Sequence, residues 1–152
     1  MSFIVEKDSG LIPQVLSAIL DECVNGVTLA DPDLDDAPIV YANKAFERLT
    51  GYSQAEIIGH NCRFLQGDDR NQEARFKIKE AMENQQAVEV TLRNYKKDGT
   101  LFYNNFKITP LFDKKHRVIY YLGVQYDITE QVNANNEIAT LNKLINALQA
   151  DN

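Results

Sequence analysis

Several kinds of chemistry are excluded by what this 152-residue chain lacks. It has two cysteines, Cys23 and Cys62, with neither metal-ligand spacing nor a disulfide framework. His60 and His116 are the only histidines, so a His-rich metal centre or catalytic dyad has little to draw on. No apolar run approaches membrane-spanning length. Met1–Asp8 lacks the apolar stretch and cleavage-like site of a secretory leader. Lys and Arg number 16 against 22 Asp and Glu, a net charge of -6, and the chain carries no basic face for nucleic acid. Lys96-Lys97 and Lys114-Lys115 read as solvated hairpin turns. No repeat or low-complexity tract is visible. The expectation is a cytoplasmic protein with reduced thiols and with no nucleic-acid or membrane partner.

What is present suits one globular domain. Hydrophobic residues make up 44% and charged residues 25%, and the length allows one good core but not two. Leu11, Ile12, Val15, Leu16, Ile19 and Leu20 recur at helical spacing, with Pro13 in the first turn and Asn25-Gly26 as the stop. This one-sided helix packs on the domain or on a second chain, and Cys23 near its end reads as a small core residue. Val27–Ala30 and Ile39–Ala42 read as strands around an Asp- and Pro-rich surface loop. That loop lacks the glycine and terminal glutamate of a calcium-binding EF-hand. Asn43 is a suitable N-cap for Lys44–Thr50, and Ser53 through Glu56 has capping-box spacing for a helix that Gly59 closes. A further helix spans Asn71–Asn84, with Phe76, Ile78, Ala81 and Met82 as its apolar positions. Three long strands follow, Ala87–Tyr95, Thr100–Phe112 and Arg117–Ile128, the first two joined by Lys96-Lys97-Asp98-Gly99. From Thr129 onward the composition is helical, and Ile138, Leu141, Ile145 and Leu148 step by three and four as a coiled-coil seam does, with Leu144 beside it.

Chemistry concentrates in Gly59-His60-Asn61-Cys62-Arg63-Phe64-Leu65-Gln66-Gly67. On a short α-helix Cys62 and Gln66, four apart, share a face. The thiol is then either a packed core group or a reactive one. Residues two apart on a strand also share a face. Val88, Val90 and Leu92 thus line up with Asn94; Phe102, Phe106 and Ile108 with Asn104; Ile119, Tyr121 and Gly123 with Gln125. Three inward amides either satisfy one another or meet a planar ligand edge that alternates donors and acceptors, as a flavin's pyrimidine edge does. Arg63, Arg70, Arg75 and Lys79 cluster after the cysteine, either as surface charge or as a phosphate site. FMN combines that edge with a phosphate, whereas FAD needs more room.

The nonapeptide resembles the signature of LOV domains, the flavin-binding blue-light sensors of the PAS superfamily. The similarity extends through Arg93–Gly99, Phe102-Tyr103-Asn104, Gly123-Val124-Gln125 and Asp127-Ile128-Thr129, and so covers roughly Asn25 to Glu130. It implies an α+β PAS/LOV fold: a five-stranded antiparallel sheet with short helices on one face and helical extensions at both ends. Residues 1–24 would form a helical cap, 25–128 the core and 129–152 a coiled-coil-like helix. By the same resemblance Cys62 is the photoactive thiol that adds to flavin carbon 4a. Asn61 and Gln66 contact the ribityl chain and ring, Asn94 and Asn104 hold the pyrimidine edge, and Gln125 sits beside ring nitrogen 5. Arg63 binds phosphate, and Thr28, Ile39, Ile58, Leu65, Phe106, Ile108 and Tyr121 form an apolar bed. Lys79 stands where the family often has arginine and Tyr121 where it often has phenylalanine. No effector domain is recognisable, which is similar to bacterial short LOV proteins, and implies a homodimer that signals through its terminal helices to a separate, unknown protein.

Two alternatives remain beside the light sensor. One is a flavin-based PAS redox sensor in which Cys62 is incidental. The other is a Cys-dependent flavoenzyme or hydrolase, for which His60 is off the cysteine's helical face and no acid is placed to orient it. A plain dimerisation module would lack colour altogether.

Overall fold

The computed structural model describes residues 14–150, so Leu11, Ile12 and Pro13 lie outside the described residues. Local capping parcels the first half of the chain into short helices between strands. Asn43 Oδ1 accepts the Phe46 N–H at 3.1 Å to open α2 (Lys44–Thr50), and Gly51, at φ 78°, ends it in the left-handed region where glycine carries no Cβ penalty. Ser53 and Glu56 form the reciprocal capping box that opens α3 (Gln54–Ile57). The cysteine turn follows as a 3-10 helix, Cys62–Gln66, and then α4 (Glu73–Glu83).

The strands are β1 (Gly26–Ala30), β2 (Ile39–Ala42), β3 (Val88–Tyr95), β4 (Leu101–Phe112) and β5 (Val118–Asp127). They form one five-stranded sheet in the order β2-β1-β5-β4-β3, every neighbouring pair antiparallel. Period-two alternation holds along the three long strands, so Val90, Leu92, Asn94, Phe102, Asn104, Phe106, Ile108, Tyr121, Gly123 and Gln125 are all buried. Register then aligns the inner face. Gly123 lies opposite Thr28 on β1 and Ile108 on β4, while Gln125 lies opposite Gly26 and Phe106.

Helix α1 (Gln14–Asp21) is tied down by its C-terminal end. Buried Asn43 donates to the Leu20 carbonyl at 2.8 Å and to the Asn25 carbonyl at 3.1 Å, while its oxygen also accepts the Val27 N–H. Leu16 and Ile19 nevertheless face solvent. Cys23 is not a core residue as expected: the chain has left the helix by then, and its thiol, half-exposed, lies 3.5 Å from the Ile19 carbonyl. On α4, Ala81 is buried and Ile78 and Met82 pack on the core, but Phe76 is 57% exposed beneath the Arg75 guanidinium. Positions 78, 81 and 82 share a face at helical spacing, and position 76 lies on the other side.

Helix α5 (Thr129–Ala150) buries none of its residues. Its root is bound to the sheet, where the Tyr103 N–H donates to Thr129 Oγ1 at 2.9 Å and the Ile128 N–H to the Tyr103 carbonyl. The stripe Ile138, Leu141, Leu144 and Ile145 is 50–57% exposed, so this helix does not fold back on the sheet.

Candidate functional site

Cys62 lies where the helical and sheet halves of the core meet. One apolar cluster joins Ile39, Ala42, Phe46, Ile57 and Leu65; the other joins Val90, Leu92, Phe106, Ile108 and Tyr121; Cys62 packs against both. The turn that carries it corrects the α-helical expectation. In a 3-10 helix side chains three apart eclipse, so Cys62 aligns with buried Leu65, and Gln66 is swung about a third of a turn away. Burial pushes the Cys62 thiol up to about 12, which keeps it protonated at neutral pH. It is a neutral S–H held among apolar side chains.

On the inner face of the sheet, which also bears the Phe106 and Ile108 of the cluster against which Cys62 packs, the three amides form a chain. Asn104 Nδ2 donates to Asn94 Oδ1 at 2.9 Å and to Gln125 Oε1 at 3.1 Å, and Gln125 Nε2 donates to Thr28 Oγ1 at 3.1 Å. Asn94 closes the other end on the Arg93 carbonyl at 3.0 Å. The amides therefore partly satisfy one another, but Asn104 Oδ1 is left buried without a partner, and so is Gln66 Oε1. A buried acceptor left unpaired costs about 1–3 kcal/mol, so two in one interior mark a place that offers hydrogen-bond acceptors to a ligand. Gly123 lies among these groups because nothing larger fits: a Cβ there would stand 2.5 Å from Thr28 Oγ1 and 2.8 Å from the Phe106 ring.

The remaining expected residues divide. Thr28, Ile39, Leu65, Phe106, Ile108 and Tyr121 are buried as an apolar bed requires, and the Tyr121 hydroxyl finds its partner in the Met82 carbonyl at 3.1 Å. Ile58 does not join them. Helix α3 stops at Ile57, Ile58 is extended at its C-cap and 39% exposed, and Ile57 is the fully buried neighbour. Asn61 is occupied locally, its oxygen capping the Arg63 N–H at 3.0 Å and its nitrogen donating to the Asp36 carbonyl at 2.8 Å. Arg63 is exposed and ion-paired with Asp36. Arg75 and Lys79 are exposed on α4, with Arg75 Nη1 donating to the Arg70 carbonyl at 3.2 Å. Of the four cations only Arg70, half-buried, has its Nε shielded from solvent and unpaired.

One constellation escaped the sequence reading. Asp69, Gln72, Arg93 and Tyr95 join the loop after the cysteine turn to β3. Gln72 is buried, although a polar residue at a helix start reads as surface. Among the described residues no group of His, Cys, Asp and Glu is arranged to hold a metal, and no helix is long and apolar enough to cross a membrane.

The chain is similar to known proteins. The model of the PAS domain family matches residues 24–130. A blue-light photoreceptor of Listeria monocytogenes is 43% identical over 106 residues, 70% of this chain and 42% of that protein. Among solved structures, an RNA-binding light-oxygen-voltage receptor superposes with a TM-score of 0.80 at 38% identity, over 95% of this chain and 42% of that one. The LOV domain of a blue-light-activated histidine kinase from Erythrobacter litoralis gives 0.65 at 40% identity, over 69% of this chain and 96% of that domain. The chain spans less than half the length of the first curated relatives it matches.

Proposed function

The chain belongs to the PAS family and to its light-oxygen-voltage branch, a class of sensory modules rather than enzymes, and on that premise we propose that it binds FMN and senses blue light through Cys62. The similarity to these domains supports a flavin cofactor. When bound, the flavin would supply light absorption and an electrophilic ring carbon, and Cys62 would supply the sulfur and the proton for a bond to it that reverses in darkness.

The observation that carries this reading is the place of Cys62, a thiol packed against both apolar clusters of a core whose sheet face also bears an amide chain with a spare acceptor. Asn104 Oδ1 and Gln66 Oε1 suit the ring's N–H and the ribityl hydroxyls. Asn94 and Asn104 hold the pyrimidine edge, and Gln125, bonded to Asn104 and Thr28, links that edge to β1. Thr28, Ile39, Leu65, Phe106, Ile108 and Tyr121 line the apolar bed. Arg70 is the phosphate ligand nearest the interior, with Arg63, Arg75 and Lys79 forming an outer ring of positive charge. Denaturing the purified protein and chromatographing what it releases tests the cofactor. FMN at near one per chain is expected, and FAD, free riboflavin or no flavin would contradict the assignment.

The terminal helices carry the output in this reading. Helix α5 exposes Ile138, Leu141, Leu144 and Ile145 along one side, and a helix of this length is marginal alone in water. A second copy of this chain covers that side, with the exposed Leu16 and Ile19 of α1 as a further apolar surface for it, and the dimer signals to a separate protein in the cytoplasm.

A further inference from the structure

The loop Gly67–Gln72, between the cysteine turn and α4, is bolted to the sheet edge. Asp69 accepts two parallel bonds from Arg93, from Nε and Nη2 at 2.8 Å each, and a third from the Tyr95 hydroxyl at 2.7 Å. Arg93 and Tyr95 are two apart on β3, so both point away from the face that bears Asn94. Strand β3 is the edge of the sheet, and Gln72 acts there as a substitute strand. Its oxygen accepts the Arg93 N–H at 2.8 Å, and its nitrogen donates to the Arg93 carbonyl at 2.9 Å and the Asp69 carbonyl at 2.7 Å. Arg93 Nη2 also reaches the Asn71 carbonyl at 3.2 Å.

Residues 69, 71 and 72 are thereby fixed on both sides of Arg70. Arg70's own N–H bonds the Asp68 carbonyl, and its carbonyl accepts from Gln72 N at 3.0 Å and Arg75 Nη1 at 3.2 Å. Its Nε is buried and meets no acceptor among the described residues. A guanidinium N–H does not stay desolvated and unpaired of its own accord. The clamp fixes the backbone on either side of it, and an anionic group would complete its hydrogen bonding.

We propose that the Asp69–Arg93–Tyr95 clamp positions Arg70 toward the anionic tail of the cofactor, so that this loop, rather than the ring site, selects a phosphorylated flavin over an unphosphorylated one. This rests on the flavin reading above and adds Asp69 to it as a positioning residue that never touches the ligand. The bonds from Arg93 and Tyr95 hold Asp69 down at about 2, so the clamp stays charged across the physiological range.

The test compares FMN and riboflavin, which differ only in the phosphate, by titrating flavin-stripped protein and following flavin fluorescence. Asp69→Asn is expected to weaken FMN about tenfold, the scale of one charge-assisted hydrogen bond, with riboflavin affinity held within about twofold. Arg70→Gln should show the same selective loss, and the double variant no further loss, because both act through one contact. Tyr95→Phe, which removes one hydroxyl and serves if Asp69→Asn does not fold, should show the same pattern in smaller measure. Equal losses for both flavins would make the clamp merely structural and overturn the proposal. So would additive losses in the double variant, or a wild type that binds both flavins equally. A wild type that binds neither would instead overturn the flavin reading itself.

Discussion

Gly123→Ala adds one methyl at the centre of the inner sheet face. The added Cβ would lie 2.5 Å from Thr28 Oγ1, 2.8 Å from Phe106 Cε2 and 3.3 Å from Gln125 Nε2. Thr28 and Phe106 are buried, and neither offers a long flexible end that can swing aside. Strand β5 cannot bend away either, since Gly123 is registered against Thr28 on one side and Ile108 on the other. Overpacking of this kind costs about 1–3 kcal/mol. Moving Thr28 also strains the 3.1 Å bond it accepts from Gln125 Nε2, adding about 1 kcal/mol. A total of about 2–4 kcal/mol would lower the urea midpoint by about 1–2 M at the slope usual for a small domain. Urea unfolding followed by circular dichroism reads this directly. Thr28→Ala placed in the Gly123→Ala background should recover part of the loss by removing the closest contact. Stability within about 0.5 kcal/mol of wild type would refute the reasoning, because it would mean that the face has slack where the distances show none.

Tyr121→Phe removes the bond to the Met82 carbonyl and should cost about 1 kcal/mol in the same unfolding assay, and an unchanged midpoint would show that the hydroxyl is idle. Asp69 is lowered on folding to about 2, so its stabilisation is present above its unfolded value near ~4 and is lost as pH falls through about 2. Acid unfolding of wild type should therefore be steeper across that window than that of Asp69→Asn, and parallel curves would contradict the assignment. Stopping the chain after Glu130 removes the exposed stripe of α5. Mass in solution should fall from dimer to monomer with the photochemistry intact, whereas a shortened protein as firmly dimeric as the full chain would place the interface elsewhere.

The sheet was legible in the sequence because its signal is local and periodic. Alternation placed Asn94, Asn104 and Gln125 on one buried face, and those positions are 0–2% exposed. The caps at Asn43 and Ser53 were legible for the same reason, each being a short-range bond between a side chain and a nearby N–H. What failed was phase in the shortest elements. One residue separates buried Ile57 from exposed Ile58, and a four-residue helix has too few turns to reveal its face. The cysteine turn tightened to a 3-10 helix, which shifted the partner of Cys62 from Gln66 to Leu65. The role of Gln72 was illegible because its partners on β3 lie 21 residues away, and no local pattern announces a side chain that completes a sheet edge. The ion pair of Arg63 with Asp36 was illegible for the same reason, the two lying 27 residues apart.

The central claim is that Cys62 is the group through which this protein registers light. Absorption spectra of purified protein, recorded in darkness, after blue illumination and during return to darkness, test it most directly when wild type and Cys62→Ala are compared. The account predicts that wild type loses its blue absorption band on illumination and regains it in darkness, while Cys62→Ala keeps the flavin and retains the band under the same light. A Cys62→Ala protein that bleached as fully and recovered as wild type does, or a flavin-loaded wild type that did not bleach, would contradict it.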